Sequence, residues 1–394
     1  MFKHLIKLIW NKRKQNFLFL SEILISFLVI FALCSMFVYY FMNYSKHNGM
    51  EYKQVWSVAY STPFKSEDKD SLSLFYETIR QRLKAMPQIE ELSFSSSNYP
   101  YSGSFSSTGL TFNGKVNSMI SFFSVEKDYA KVLKMELLEG RWFDKSDAGD
   151  ASRKMIINAT LREMMFGDGL AVGKSIGDYD NKEQFKIIGV IADAKADGDY
   201  KPVAPAFYKL MDTLAFNWTG HLLIRVGSGA DAAFESQLSK TLSSLMKNSD
   251  LEIKHLEDMR ESKNSETLIP MIICLTIAGF LIINVALGLF GVLWYNISQR
   301  RSEIGLRMAI GGSKSVIAGQ LVTETLVMTT IALLVGVFFA IQFPVLNVFN
   351  IPAVVYMIAL LIAVVFIYAL VFACSLYPGR QAAAIHPAIA LHEE

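Results

Sequence analysis

Cysteine is scarce in this chain of 394 residues and absent from its polar half. Cys34, Cys274 and Cys374 each lie inside an apolar run, and residues 43–267 contain none. A disulfide framework and a cysteine-based metal site are thereby excluded. The six histidines are scattered, with no pair at ligand spacing beside a carboxylate, so no metal, catalytic or cofactor-binding residue is expected. Charge is also in short supply. Charged residues make up 19% of the chain and hydrophobic ones 52%, against roughly 25% charged in soluble domains. The net charge of +2 hides an asymmetry. Residues 43–267 hold 28 Lys and Arg against 31 Asp and Glu, whereas the remainder holds 10 against 5, nine of those bases in two clusters. A nucleic-acid footprint would need a basic face on a soluble domain, so the expected partner is a lipid bilayer and no nucleic acid.

The long apolar runs set the topology. Residues 1–16 carry five bases and no acid, and residues 17–42 follow as an apolar run interrupted only by Ser21, Glu22, Ser26 and Ser35. A bilayer core needs about 20 such residues in a helix. The run ends in VYYFMNY with no A-x-A site, which distinguishes it from a signal peptide. It is expected to be a first span with a cytoplasmic amino terminus by the positive-inside bias. Glu22, about one turn inside, is expected to snorkel to the interface. Residues 268–296 form a second run with Pro270 in its first turn, where a missing N–H costs little. A third run covers 320–343, a short uncharged loop with two prolines covers 344–352, and a fourth run covers 353–377, ended by Pro378-Gly379. Four spans return the 378–394 tail to the cytoplasmic side, and the 43–267 block faces out.

That block is too long to be a structureless loop. Residues 54–61 alternate like a strand, 71–85 read as an amphipathic helix and 89–97 as a strand; 221–226, 230–247 and 251–255 repeat the order. Two β-α-β units therefore bracket the block, which suits a split ferredoxin-like subdomain (43–104 and 210–267) interrupted by an inserted one (105–209). Within the insertion, strands are expected at 118–125, 154–157 and 185–191 and a short helix at 128–135. The stretch Gly169-Leu-Ala-Val-Gly-Lys-Ser175 imitates a phosphate loop, but the position of the Walker pattern's first glycine is Asp168. Its carboxylate would repel phosphate, and a β-turn entering a strand is expected instead. The fold class is an α-helical membrane protein with four transmembrane helices and a large α+β extracytoplasmic domain.

Between the second and third runs, residues 297–319 are basic and punctuated by glycine. Arg300, Arg301, Arg307 and Lys314 hold this segment in the cytoplasm. Glu303 precedes Arg307 by four residues, the favourable order for a helical pair, and Ile297, Ile304 and Met308 share one helical face. Gly311-Gly312 ends the helix and Ser313 caps the next. Such a helix could lie on anionic headgroups, but Gly305 costs about 1 kcal/mol relative to Ala, and a close protein contact there would explain it. Of the polar residues inside the runs, Asn284, Gln320 and Glu324 are expected to hydrogen-bond between helices, since no further polar residue lines a path across the bilayer.

RRSEIGLRMAIGGSKSVIAGQLVTETL resembles the signature of ABC-transporter permeases of the FtsX/MacB type. The tail from Pro378 to Leu391 is similar to that family's ending, and LLEGRWF, IINATL, the MMFG…AVGKSIG run and IIGVIAD resemble a MacB-like periplasmic core. The resemblance implies a bacterial inner-membrane permease without enzymatic activity of its own. It also implies a separate cytoplasmic ATPase, holding the ATP and Mg, that docks on a helix of about 299–310 and moves the periplasmic domain, a mechanism called mechanotransmission. The chain departs from MacB in lacking a fused nucleotide-binding domain. The implied role is export or efflux of a peptide, small toxic compound or lipoprotein. A regulatory permease that activates an envelope enzyme is the alternative. The implied partners are that ATPase, a second permease in a homo- or heterodimer, a periplasmic adaptor and an outer-membrane channel.

Overall fold

A computed structural model describes residues 13–61, 64–149, 153–167, 169–178, 184–247, 249–299, 301–310 and 313–382. They fall into two compact units, Asn43–Thr267, and Met1–Met42 with Leu268–Glu394.

In the first of these, β1 (Val55–Tyr60), α2 (Lys69–Lys84) and β2 (Ile89–Ser95) form one β-α-β unit, and β10 (His221–Val226), α5 (Ala232–Leu245) and β11 (Leu251–His255) the other. The two interleave in the antiparallel order β11-β1-β10-β2. Alternation along each strand decides what faces where. Trp56, Val58 and Tyr60 meet Leu222, Ile224 and Val226 beneath the buried stripes of both helices, Leu72, Tyr76, Ile79 and Leu83 from α2 and Phe234, Leu238 and Leu242 from α5. Both helices start on aspartate caps. Asp68 accepts from the Asp70 and Ser71 amides, and Asp231 from that of Phe234, which satisfies orphan N–H groups of the first turn.

The intervening segment supplies β3 (Ser107–Phe112), β4 (Lys115–Val125), α3 (Tyr129–Val132), β5 (Leu137–Gly140), β6 (Arg153–Asn158), α4 (Ala159–Phe166), β7 (Ser175–Asp178), β8 (Gln184–Ile191) and β9 (Ala206–Leu210). Its strands pair in the order β4-β3-β7-β8-β6-β9, and β9 returns to pair with β4. The pairing thus closes into a six-stranded ring, which removes the free edges that invite association. Leu110, Ile120, Met155, Ile157, Ile176, Phe185, Ile187 and Phe207 form a common core of these strands. The expected strands at 118–125, 154–157 and 185–191 are present, but the helix expected at 128–135 shrinks to the single turn of α3. Strands β3, β5, β7 and β9 were not expected. They are short, and β5 and β7 carry glycine, so their pairing partners make them strands rather than any alternation of their own. The stretch resembling a phosphate loop is a turn at Ala171–Lys174 leading into β7, with the Lys174 amide donating to the Ala171 carbonyl at 3.2 Å; Asp168 lies outside the described residues.

The four-stranded part joins the ring where Ser95 pairs with Val125 and the Ser96 amide donates to the Ser124 carbonyl at 3.2 Å. Glu126 consolidates this junction. Its carboxylate pairs with Arg80 of α2 at 2.5 Å and accepts the Phe94 amide at 2.7 Å. Asp147 forms a second buried ionic node. Arg141 grips it with two 2.7 Å bonds, Lys154 reaches it at 2.5 Å and the Asp144 amide donates at 2.8 Å. The Arg141 guanidinium first, then Lys154, holds the Asp147 carboxyl well below the usual carboxylate range despite its burial.

The other unit contains α1 (Arg13–Tyr44), the apolar part of α6 (Leu256–Gln299), α7 (Arg301–Ala309), α8 (Lys314–Val345) and α9 (Ala353–Ala382). Four of these helices are long and apolar enough to cross a membrane. Phe19, Ile23, Phe27, Ile30 and Phe31 of α1 recur at helical spacing and pack on Met328, Leu333 and Ala340 of α8, Ala359 and Ala363 of α9, and Leu289 of α6. Gly336 permits a close approach of α8 to α1, since a Cβ there would lie 2.5 Å from the Phe27 ring.

Three expectations about these helices need correction. Pro270 is not in a first turn but inside α6, which already begins at Leu256; the missing N–H forfeits only the bond to the Glu266 carbonyl. Pro378-Gly379 does not end the fourth run, because α9 continues to Ala382. There the ring deprives one carbonyl, that of Cys374, of its helical partner, and such gaps are tolerated in membrane helices. Pro344 likewise lies inside α8 rather than in the connecting loop.

Replacing Glu126 by Ala strands Arg80 and the Phe94 amide, and we expect it to destabilise the polar unit by about 3 kcal/mol, read as a lower melting midpoint of the full chain in detergent. Asp147→Asn is expected to cost about 2–3 kcal/mol at neutral pH, given that Arg141 is partly exposed. Because the folded-state pKa is depressed, this contribution is complete above about pH 4 and is lost as pH falls below it. The gap between Asp147→Asn and the parent chain should therefore narrow on acidification, which urea titrations over a pH series would measure.

Candidate functional site: the corner between the second and third apolar helices

Helix α6 is described as far as Gln299 and α7 covers Arg301–Ala309, with Arg300 between them outside the described residues. The inner face of α7 is narrow. Ile304 is buried against Ile317 at the foot of α8, with Ile297, Met308 and Leu321 half-buried around them. Ile297, Ile304 and Met308 thus meet as their spacing predicts. Gly305 is buried beside Ile304. Ser313 starts α8 in an extended conformation, and its hydroxyl accepts the Val316 amide at 3.4 Å. Arg301, Glu303 and Arg307 occupy α7; Arg300, Gly311 and Gly312 lie outside the described residues.

The opposite side of α7 carries a feature that the sequence reading missed. Leu306 is 54% exposed and Ile310, just past its end, 79% exposed. Residues two positions apart on a helix point to opposite sides, so Leu306 and Ile310 define a second apolar face, away from Ile304 and Met308. The signal was in the sequence, where apolar residues fall at 304, 306, 308 and 310 rather than on a single stripe.

Among the polar residues within the spans, Asn284 departs from expectation. Asn284 donates to the Phe280 carbonyl one turn back on its own helix at 2.8 Å, and Gln320 donates to Glu324 along α8 at 2.9 Å. These bonds are intrahelical rather than interhelical, because an i−4 carbonyl or an i+4 side chain is always within reach on a helix. Thr325, Thr329 and Thr330 also return their hydroxyls to their own backbone. An interhelical contact does form where none was expected, between Thr330 and the Tyr368 hydroxyl at 2.9 Å. Among the described residues no group of three or more His, Cys, Asp and Glu could hold a metal ion.

Residues 23–241 match the family model of the MacB-like periplasmic core domain, and residues 275–387 that of the FtsX-like permease C-terminal domain. The chain is 25% identical over 237 residues to the macrolide export ATP-binding/permease protein MacB 1/2 of Paracoccus denitrificans, covering 59% of this chain and 35% of that protein. It is 26% identical over 291 residues to the uncharacterized ABC transporter permease YvrN of Bacillus subtilis, covering 69% and 70% respectively. The chain therefore spans about a third of the length of that MacB relative. Among solved structures, the periplasmic region of MacB from Actinobacillus actinomycetemcomitans aligns with 54% of this chain and 93% of its own, at 15% identity and a TM-score of 0.39.

Ile304→Ala empties the small cluster that pins α7. We expect local opening of α7 to become easier by about 2 kcal/mol, roughly thirtyfold in population. Trypsin cleavage after Arg301 and Arg307 should accelerate by that factor while the melting of the polar unit stays unchanged.

Proposed function

Because this chain belongs to the ABC transporter permeases of the MacB/FtsX type, a multi-pass membrane protein with an extracytoplasmic domain, we propose that it is the force-transmitting subunit of an export system. In this reading a separate ATPase docks on α7. The observation that carries the proposal is the two-sided character of that helix. Its inner face is spent on Ile317, so movement of α7 is passed to α8, while Leu306 and Ile310 remain exposed. A helix lying on lipid buries one apolar face and exposes polar residues on the other; a second apolar face on a helix whose sequence also carries Arg301, Glu303 and Arg307 suits a protein partner.

The remaining assignments follow from the same reading. The basic clusters at 1–16 and 300–314 support a cytoplasmic side of an inner membrane for both termini and α7, next to the ATP and Mg held by the ATPase. The interleaved order β11-β1-β10-β2 supports a split ferredoxin-like subdomain around an inserted ring. The apolar part of α6 buries few side chains within this chain, among them Ala278, Leu289 and Leu293, which supports pairing with a second permease. The client is a peptide, small compound or lipoprotein handled outside the bilayer, since the described polar side chains of the spans close largely on their own helices. The MacB relative is named for macrolide export and ATP binding, and that favours export over regulation of an envelope enzyme.

Affinity purification in mild detergent tests this directly. An ATPase should co-purify, together with an adaptor or outer-membrane channel; a cell-wall hydrolase in their place would overturn the export assignment. Glu303→Ala with Arg307→Ala, or Leu306→Asp alone, should reduce stimulation of the ATPase at least about tenfold, equivalent to 1.4 kcal/mol of docking, with membrane insertion intact. Wild-type stimulation in both variants would refute docking on α7.

A further inference from the structure

Glu22 is turned toward a neighbouring helix. It lies nine residues past the start of α1 and packs on Gly288, eleven residues before the end of the antiparallel α6. At 1.5 Å per residue both positions are about 14–16 Å from the basic ends of their helices. A Cβ at position 288 would lie 2.0 Å from Glu22 Oε1, so the glycine makes room for the carboxylate against the α6 backbone. Among the described residues no donor or cation pairs with that carboxylate, and the Ser26 hydroxyl one turn on donates to the Glu22 carbonyl rather than to its side chain. An intramembrane acid without a counterion is costly and marks function by default.

One helical turn further along the same two helices runs a shallow apolar groove. Ile25, Ser26 and Val29 of α1 line it opposite Leu281, Ile282 and Val285 of α6, and Leu370 of α9 contributes to it. Ile25 and Ser26 stand three and four positions after Glu22, and Val285 three before Gly288, so the carboxylate lies at the end of the groove nearer the basic clusters. The groove opens sideways, with Ile25 62% exposed.

We propose that Glu22, Gly288 and this groove form a site for a single-chain lipophilic amine entering from the membrane, its ammonium on Glu22 and its chain between α1 and α6. Charge complementarity selects the occupant. A neutral chain would leave the carboxylate uncompensated, and an anionic one would be repelled by it. A zwitterionic phospholipid would bring a phosphate within a few bonds of its ammonium, against the same carboxylate. This site lies wholly in the helical unit and does not depend on docking at α7.

The test uses the full chain in phosphatidylcholine nanodiscs at neutral pH, with radiolabelled dodecylamine and dodecanol as probes and empty nanodiscs as the blank. Dodecylamine, protonated at that pH, should bind saturably and at least about tenfold more tightly than dodecanol, as expected of an ion pair shielded from water. In Glu22→Gln the two probes should bind alike, at the dodecanol level. In Val29→Trp, which fills the groove and keeps the acid, both should be lost. Equal binding of the two probes to the parent chain overturns the proposal, and so does an undiminished amine preference in Glu22→Gln. Displacement of dodecylamine by phosphatidylethanolamine would overturn the assignment to a free amine. The comparison of probes on the parent chain decides the matter even if Glu22→Gln fails to fold.

Discussion

The polar unit depends on one pairing. Strand β1 lies between β10 and β11, two strands from the far end of the block, with Trp56 opposite both Ile224 and His255. Such non-local pairing has to overcome the entropy of closing a long loop, and the surrounding contacts supply the compensation. The Trp56 ring stacks on His255 at 4.8 Å and packs beside Phe234. Arg225 of β10, almost fully buried, donates to the carbonyls of Val132 at 2.6 Å, Glu51 at 3.0 Å and Lys53 at 3.3 Å. One guanidinium therefore holds the start of the block, α3 and the third strand of the sheet together, a use suited to its five fixed donors. Burial disfavours the charge and draws the Arg225 pKa down; the three carbonyls are what make the site tolerable.

The same pairing determines where the block ends. Helix α6 starts directly after β11, and its first residue, Leu256, is part of the core that also holds Val55 and Leu223. Arg260, one turn on, lies over the Tyr52 ring at 4.5 Å and binds Asp199, which Asn264 engages from the next turn. The polar first turns of α6 are thus anchored by side chains from the entry segment and from the 193–201 loop. This explains why helix extends well before Pro270: tertiary contacts order these residues, whereas a proline taken by itself marks a helix start.

Much of this was legible from pattern alone. Long apolar runs must satisfy every backbone group internally once in a membrane, so four helices followed from length and composition. Alternation at 54–61 and the short runs at 89–97 and 221–226, rich in apolar residues, identified strands. The corner around 304–317 was readable too, since Ile297, Ile304 and Met308 recur at helical spacing and Ser313 occupies a cap position. The strands of the ring were less accessible. A four-residue segment such as Ser175–Asp178 carries too little periodicity to declare itself, and it is a strand because Leu110 and Phe185 pair with it from either side. Side-chain direction was equally hidden. Nothing in the order of residues revealed that Asn284 turns back to its own helix, or that Gly288 opens a place for Glu22.

By itself, the sequence determined which segments leave water, how many helices they make, where the charge clusters lie and which β-α-β units bracket the polar block. Those properties depend on composition and on periods of two or 3.6 residues, which are local. Tertiary structure alone decided that β9 returns to β4 to close the ring, that Ser95 pairs with Val125 across the two parts of the sheet, and that α7 turns one apolar face to Ile317 and leaves the other open. It also decided that the carboxylate of α1 rests on a glycine of α6 at the end of an apolar groove. Each of these joins residues far apart in the chain, and such contacts are selected by shape and by the need to pair buried polar groups, neither of which leaves a local mark in the order of residues.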